Sequence, residues 1–167
     1  MSNQTVCRIA LADDNEPYLV TMSYGLHIGP DTVIGADGSV DSLLIYLHSA
    51  AVGRKIDMLR RNPRVCFSIE GHSTVVAGDE PCRWTRRYES IVGYGTLEIV
   101  HNDDERRIGL DAIMRQHGAK PPYAYAFAAV DQVHVLRLSV RTLTGKSSPA
   151  ERSDESAGTD ESTGTDE

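Results

Sequence analysis

Residues 44–56 read LIYLHSAAVGRKI, and they join the end of a strand to the start of a helix. Apolar and aromatic residues predict a strand that ends at His48, and Ser49 is a residue type that often caps a following helix. Two cations, Arg54 and Lys55, come soon afterwards. The start of a helix is the positive end of its dipole and normally attracts acidic side chains. An anionic partner is therefore expected at this point of the chain.

A phosphate group would meet this expectation. The free backbone N–H groups and the Ser49 hydroxyl can donate hydrogen bonds to a phosphate, Arg54 offers a planar fork, and Lys55 offers a point charge. The same two cations are equally compatible with an ordinary solvated surface. The spacing alone does not decide between the two interpretations.

Six strands are predicted along the chain from alternating apolar and polar residues and from β-branched residues. They cover residues 7–12, 18–24, 43–48, 64–70, 88–100 and 133–140, and a long hairpin connection covers 25–42. Two helices are predicted as well. Six strands with two short helices, without regular alternation of strand and helix, favour a mainly β fold of barrel type over a doubly wound sheet.

The first helix is predicted from about Ala50 to Arg61, where Asn62-Pro63 ends it. The second is predicted from a cap at Asn102 or Asp103 to about residues 117–118. Each has an apolar face, formed by Val52, Ile56 and Leu59 in the first and by Ile108, Ala112 and Ile113 in the second.

The net charge of −7 is concentrated at one end of the chain. Residues 147–167 contain seven acids and one base, so residues 1–146 are nearly neutral. A neutral body disfavours nucleic acid and anionic membranes as partners. No apolar stretch approaches the ~20 residues that span a bilayer, and a cytoplasmic protein is expected. Residues 1–146 are predicted to form one domain, and residues 147–167 an acidic disordered tail.

Cysteine and histidine are placed without a metal-binding pattern. Cys7, Cys66 and Cys82 are odd in number and widely spaced, which indicates reduced thiols and neither a disulfide framework nor a zinc site. The six histidines show no ligand spacing, so no metal site is expected. Trp84 lies among several arginines, and such a cluster suits a dimer interface or the wall of a planar-ring site.

Four segments together resemble one known family. They are LIYLHSAAVGRKIDMLRRNPRV at 44–65, GDEPCRWTRRYESIVGYG at 78–95, IMR at 113–115 and TLTGK at 142–146. In order and spacing they resemble the pyridoxamine 5′-phosphate oxidase-like FMN-binding split-barrel superfamily, and within it the 5-nitroimidazole-resistance (Nim) family. The hairpin at 25–42 is longer than is usual there.

The resemblance implies a homodimer of six-stranded split barrels with one FMN in each of two grooves at the subunit interface. By position, His48, Ser49, Arg54 and Lys55 would hold the ribityl chain and phosphate, and His48 is also the candidate catalytic residue. Residues 84–90 of the neighbouring subunit would reach the isoalloxazine ring. Trp84, Tyr88 and Ser90 are therefore further candidates for cofactor binding.

The resemblance also implies an FMN-dependent oxidoreductase that acts on a small molecule, such as a nitro-aromatic acceptor, with electrons from NAD(P)H. Two alternatives remain open: a non-catalytic module that binds flavin or haem, and a reductase that uses a deazaflavin. The sequence lacks a Gly-x-Gly-x-x-Gly fingerprint and a Gly-x-Ser-x-Gly elbow, which disfavours a Rossmann-type dinucleotide site and a serine hydrolase.

Overall fold

The computed structural model describes residues 1–125 and 132–148. Within them it contains six strands, two α-helices and a short 3-10 helix at Pro81–Arg83. The strands are β1 (Val6–Asp13), β2 (Glu16–Ile34), β3 (Val40–Ala50), β4 (Arg64–Val76), β5 (Thr85–Ile99) and β6 (Val133–Ser147). The helices are α1 (Arg54–Arg61) and α2 (Asp103–Gln116). All six predicted strands are present, and most of them extend beyond their predicted ends.

The strands form a closed antiparallel barrel in the order β1-β2-β3-β6-β5-β4, which confirms the predicted fold. Residues 8–10 of β1 lie opposite residues 66–68 of β4, and this seam is the shortest of the six strand pairings. The long connection predicted at 25–42 is the hairpin between β2 and β3. Its tip reaches β6, where the Leu143 N–H donates to the Gly38 carbonyl at 2.8 Å.

Alternate residues of each strand fill the barrel, among them the buried Ile9, Tyr24 and Phe67. Helix α1 contributes Ile56, Met58 and Leu59 to the same core, so its position is fixed by burial. The helix that carries Arg54 and Lys55 is therefore anchored in the core of the barrel.

Helix α2 packs outside the barrel against β2, β3 and β6. Its buried residues Ala112 and Ile113 form a second cluster with Tyr46 and Val135. The approach is close enough that a Cβ at Gly25 would lie 2.2 Å from the Ile113 amide nitrogen. Only glycine fits at this crossing of β2 and α2.

The start of α2 agrees with its prediction, and the start of α1 does not. Asn102 caps α2, but α1 begins at Arg54 instead of Ala50. The reason is that β3 continues through Ala50, which pairs with Val133 of β6. The chain then turns at Gly53, whose φ of 122° favours glycine.

Two further expectations need adjustment. Ile108 was predicted on the buried face of α2, but it is 45% exposed. Ser147, the first residue of the predicted tail, belongs to β6, and residues 149–167 lie outside the described residues. In residues 1–125 and 132–148, no helix is both long and apolar enough to cross a membrane. The same residues contain no group of three or more His, Cys, Asp or Glu side chains that could hold a metal ion.

Candidate functional site

The end of β3 presents two candidate residues to opposite sides. Ser49 is buried and lies opposite His134 of β6, whereas His48 is exposed on the outer surface. The Ser49 hydroxyl donates to the Ala50 carbonyl at 3.0 Å. The prediction that Ser49 caps α1 is therefore wrong, because the strand continues past it and its hydroxyl has another acceptor.

The start of α1 has no side-chain cap. Gly53 occupies the N-cap position, and its carbonyl accepts from the Ile56 N–H at 2.9 Å and from the Asp57 N–H at 3.1 Å. An α-helix leaves the N–H groups of its first residues without intrahelical acceptors. The N–H groups of Arg54 and Lys55 are thus available to a ligand.

The Arg54 side chain is held by the start of β2. Its Nη2 lies 3.1 Å from Glu16 Oε1, and its guanidinium carbon lies 4.8 Å from the centroid of the Tyr18 ring. Glu16 thus supplies part of the negative charge that the sequence led us to expect. Sequence reasoning missed this contact because the two residues lie 38 positions apart, and no local pattern connects them.

Lys55 has a different environment from Arg54. It is partly buried, and this burial lowers the pKa of its ammonium group. Among the residues that the structure describes, Lys55 has no acidic partner. A desolvated cation without a counter-charge is costly, and a bound anion would relieve that cost. We call His48, Ser49, Arg54 and Lys55 the basic corner.

The other three candidates lie on β5 and the turn before it. Trp84 follows the 3-10 helix and is 57% exposed. Tyr88 is also exposed, and its backbone is fixed by Ser148, which accepts at Oγ from the Tyr88 N–H at 3.1 Å and donates its own N–H to the Tyr88 carbonyl at 2.9 Å. We call residues 84–90 the β5 entry. Its two aromatic rings are available to stack on a planar partner.

Ser90 borders a cavity of about 270 Å³ at the same end of the barrel. Glu89 and Lys146 also line it, and Lys146 lies opposite Ser90 in the pairing of β5 with β6. Sequence reasoning noted Lys146 only as part of the TLTGK segment and gave it no role. The strand register, which the sequence does not reveal, brings it beside Ser90.

Strand β6 touches both groups of candidates, but at its two ends. Its residue His134 pairs with Ser49, and its residue Lys146 pairs with Ser90. Eleven residues of β6 separate these two positions, so within one chain the basic corner and the β5 entry lie beside opposite ends of the same strand.

Exposed apolar side chains also occur on the strands of the barrel. Tyr94 of β5 is 54% exposed and Leu19 of β2 is 61% exposed. They lie on one row across the sheet, since Tyr94 pairs with Cys66, Cys66 with Ala10, and Ala10 with Leu19. An apolar row of this kind on a barrel surface is typical of a protein contact.

The chemistry of these groups fits a phosphorylated ligand with a planar ring. The basic corner has two cations and free N–H donors, which suit a phosphate. The β5 entry has exposed aromatic rings, which suit stacking. Ser49 fits least well, because its hydroxyl is buried and already donates to a carbonyl.

The family described as pyridoxamine 5′-phosphate oxidase matches residues 1–147. No curated protein matches the chain.

Several solved structures are similar. A proposed 5-nitroimidazole antibiotic resistance protein from Bacteroides thetaiotaomicron has a TM-score of 0.69 and 30% identity, with 86% of this chain and 77% of that chain covered. An FAD- and haem-binding protein from Mycobacterium smegmatis has a TM-score of 0.70 and 18% identity, over 89% and 68% of the two chains. An FAD-binding protein from Mesorhizobium loti has a TM-score of 0.56 and 22% identity, over 89% of each chain.

Proposed function

The chain belongs to the pyridoxamine 5′-phosphate oxidase family, and we propose that it is an FMN-dependent oxidoreductase that acts on a small molecule in the cytoplasm. The observation that carries this proposal is the start of α1, where Arg54 and Lys55 follow the N-cap residue Gly53 and no side chain caps the helix. A cation pair at the positive end of a helix is unfavourable without an anion, and Glu16 contacts only one of the two. The phosphate of FMN supplies the missing negative charge.

The active form in this proposal is a homodimer. The basic corner of one subunit and the β5 entry of its partner together form one site, which explains why these groups lie at opposite ends of β6. The exposed row that includes Leu19 and Tyr94 supports burial of this surface against a second copy. Two-fold symmetry then gives two equivalent sites in each dimer.

Each candidate residue has one role in this arrangement. FMN supplies the electron-transfer chemistry, and the protein supplies binding, orientation and shielding from water. Arg54 and Lys55 bind the phosphate, Trp84 and Tyr88 cover the ring, and Ser90 lines the adjacent cavity. His48, which is exposed, exchanges a proton with the substrate through an imidazole nitrogen. Ser49 holds the strand end that orients His48.

The electron donor in this proposal is NAD(P)H, and the substrate is a small acceptor of the nitro-aromatic kind. The 30% identity with the Bacteroides thetaiotaomicron protein supports that substrate class.

The absorption spectrum and mass of the ligand that copurifies with the protein test the cofactor. FMN is expected. FAD, a deazaflavin or haem would each contradict the FMN assignment and identify the alternative directly. Anaerobic addition of NADH or NADPH to the flavin-loaded protein then tests turnover. Rapid bleaching of the flavin band is expected, whereas a flavin that stays oxidised would indicate a binding module.

Mixed dimers test the shared site. We expect Arg54→Ala/Lys55→Ala to abolish tight FMN binding in one homodimer, and Trp84→Ala/Tyr88→Ala to weaken it in another. In a mixed dimer of the two variants, one site has all four residues intact and the other has none. Recovery of one tight site per mixed dimer is expected. No recovery in dimers shown to be mixed would mean that both groups act within one subunit.

A further inference from the structure

A second cavity is lined by none of the candidate residues. It has a volume of about 400 Å³ and lies between the C-terminal half of α1 and strands β5 and β6. Leu59, Pro63 and Ile99 form part of its apolar lining. This volume is within the range of small-molecule sites.

The polar lining of this cavity is mainly basic. Arg60, His101 and Arg137 border it, together with Glu98. The Glu98 carboxylate is already engaged, because its Oε2 lies 2.8 Å from Arg137 Nη2. On its other side, Arg137 Nη1 lies 2.8 Å from Glu105 Oε1. Both terminal nitrogens of Arg137 are thus paired with acids, and the Glu98 carboxylate in the cavity wall is paired with Arg137.

Arg60 and His101 are not neutralised in this way. In the part of the chain that the structure describes, Arg60 makes no ion pair with an acid, and His101 makes no hydrogen bond. His134 lies close by, and its pKa is lowered by burial and then by the positive charges of Arg60, His101 and Arg106. Basic groups from α1, from the segment after β5 and from β6 therefore lie near one another, and Arg60 and His101 have no acidic partner among the described residues.

One more donor belongs to the same wall. Arg137 Nε is buried and has no hydrogen-bond acceptor among residues 1–125 and 132–148. The wall of the cavity therefore presents donors and positive charge, and its lining beneath them is apolar. An anion with an apolar body matches both features, whereas a cation would be repelled by the positive charge.

We propose that this cavity binds a small organic anion, with its carboxylate or phosphate on Arg60 and His101 and its apolar part against Leu59, Pro63 and Ile99. None of the four residues of the basic corner lines this cavity. The ring of a benzoate ion is a simple probe of this chemistry.

Benzoate binding to the full-length protein, followed through the histidine ring signals by NMR, tests the site. Saturable binding that shifts the His101 signals is expected, and neutral benzamide should bind at least tenfold more weakly. Arg60→Gln removes the charge from an exposed helix position, so folding is preserved and the benzoate affinity should fall about tenfold or more. Arg115→Gln, an exposed arginine on α2, is the matched control and should bind like the wild type.

Lys55→Gln separates this cavity from the basic corner. Under the proposal, it leaves benzoate binding unchanged. Equal binding of benzoate by Arg60→Gln and the wild type, equal binding of benzamide and benzoate, or loss of benzoate binding in Lys55→Gln would each overturn the assignment.

Discussion

The starts of the two helices are built in opposite ways. Helix α2 has an Asn102 cap whose side chain accepts from the Glu105 N–H at 2.9 Å, and three acids occupy its first turn. Helix α1 has no side-chain cap, and it begins with Arg54 and Lys55. The first start satisfies its own donors and its own dipole. The second has no side-chain acceptor for its first donors, and its first turn combines Arg54 and Lys55 with the single acid Asp57.

The two helix starts therefore serve different purposes: the start of α2 stabilises the fold, and the start of α1 is left open for a ligand. Helix α1 tolerates a poor start because Ile56, Met58 and Leu59 anchor it in the core. Burial of three large apolar side chains contributes several times more than the ~1 kcal/mol of a cap. The N-terminal end of α1 is thereby free to bind a ligand. The four substitutions and titrations below test this difference between the two helix starts.

The largest effect is expected from Arg54→Ala/Lys55→Ala. Two charge-assisted contacts to the FMN phosphate are lost, each worth ~1.5–3 kcal/mol, so FMN affinity should fall about 100-fold or more. Fluorescence titration measures this loss. Riboflavin, which has no phosphate, should bind the variant and the wild type equally. Unchanged FMN affinity would make the two residues a solvated surface and remove the contrast between the helices.

A smaller effect is expected from pH. A bound phosphate favours charged Lys55, so FMN affinity is highest below the pKa of Lys55 and falls as the pH rises through it. Burial lowers this pKa from its usual 10.5, and the fall should therefore begin at a lower pH than for an exposed lysine. Titrations from neutral pH up to the usual lysine pKa of 10.5 should show a loss of up to about tenfold. Lys55→Arg stays charged throughout and should give a flat profile; a sloping one would exclude Lys55 as the cause.

Removal of the α2 cap should change the stability of the protein and leave FMN binding unaffected. Asn102→Ala removes the hydrogen bond to the Glu105 N–H, and we expect a loss of ~1 kcal/mol in the free energy of unfolding. For a chain of this size the melting temperature should fall by about 3 °C. FMN affinity should not change. A variant with weakened FMN binding and normal stability would show that α2 also serves the site.

The smallest effect is expected from Glu16→Gln. The Glu16–Arg54 pair is exposed on both sides and worth at most ~1 kcal/mol, so releasing Arg54 should raise FMN affinity by about twofold. Asp14→Asn removes a charge from the same turn without touching Arg54 and serves as the control. If Glu16→Gln weakens FMN binding, then Glu16 positions Arg54 and does not compete with the phosphate.

Local signals in the sequence were sufficient for most of the fold. Alternation located the strands, and Asn102 with the following acids located the start of α2. The start of α1 was predicted too early because β3 extends to Ala50 by pairing with Val133, which lies far along the chain. Ile108 was misplaced because the buried face of α2 includes Gly109, where a Cβ would lie 2.7 Å from the Tyr46 ring. A search for apolar periodicity does not detect a buried glycine.

The candidate site was predictable only in part. Arg54 and Lys55 stand out because their charge conflicts with the helix dipole. The contact of Arg54 with Glu16 could not be predicted, because the two residues are distant in sequence. The position of Lys146 beside Ser90 could not be predicted either, because the strand register depends on the whole barrel. The separation of the basic corner from the β5 entry also follows from strand register. Spacing along the chain carries no information about it.

The short seam between β1 and β4 has a consequence for the motions of the barrel. Residues 8–10 and 66–68 hold the barrel closed there, whereas β5 and β6 are paired along most of their length. Opening at this seam breaks the fewest hydrogen bonds, so the backbone amides that donate across it should exchange with deuterium before those that pair β5 with β6. The barrel would then open and close at this seam, while β6, which lies beside both groups of candidate residues, stays paired.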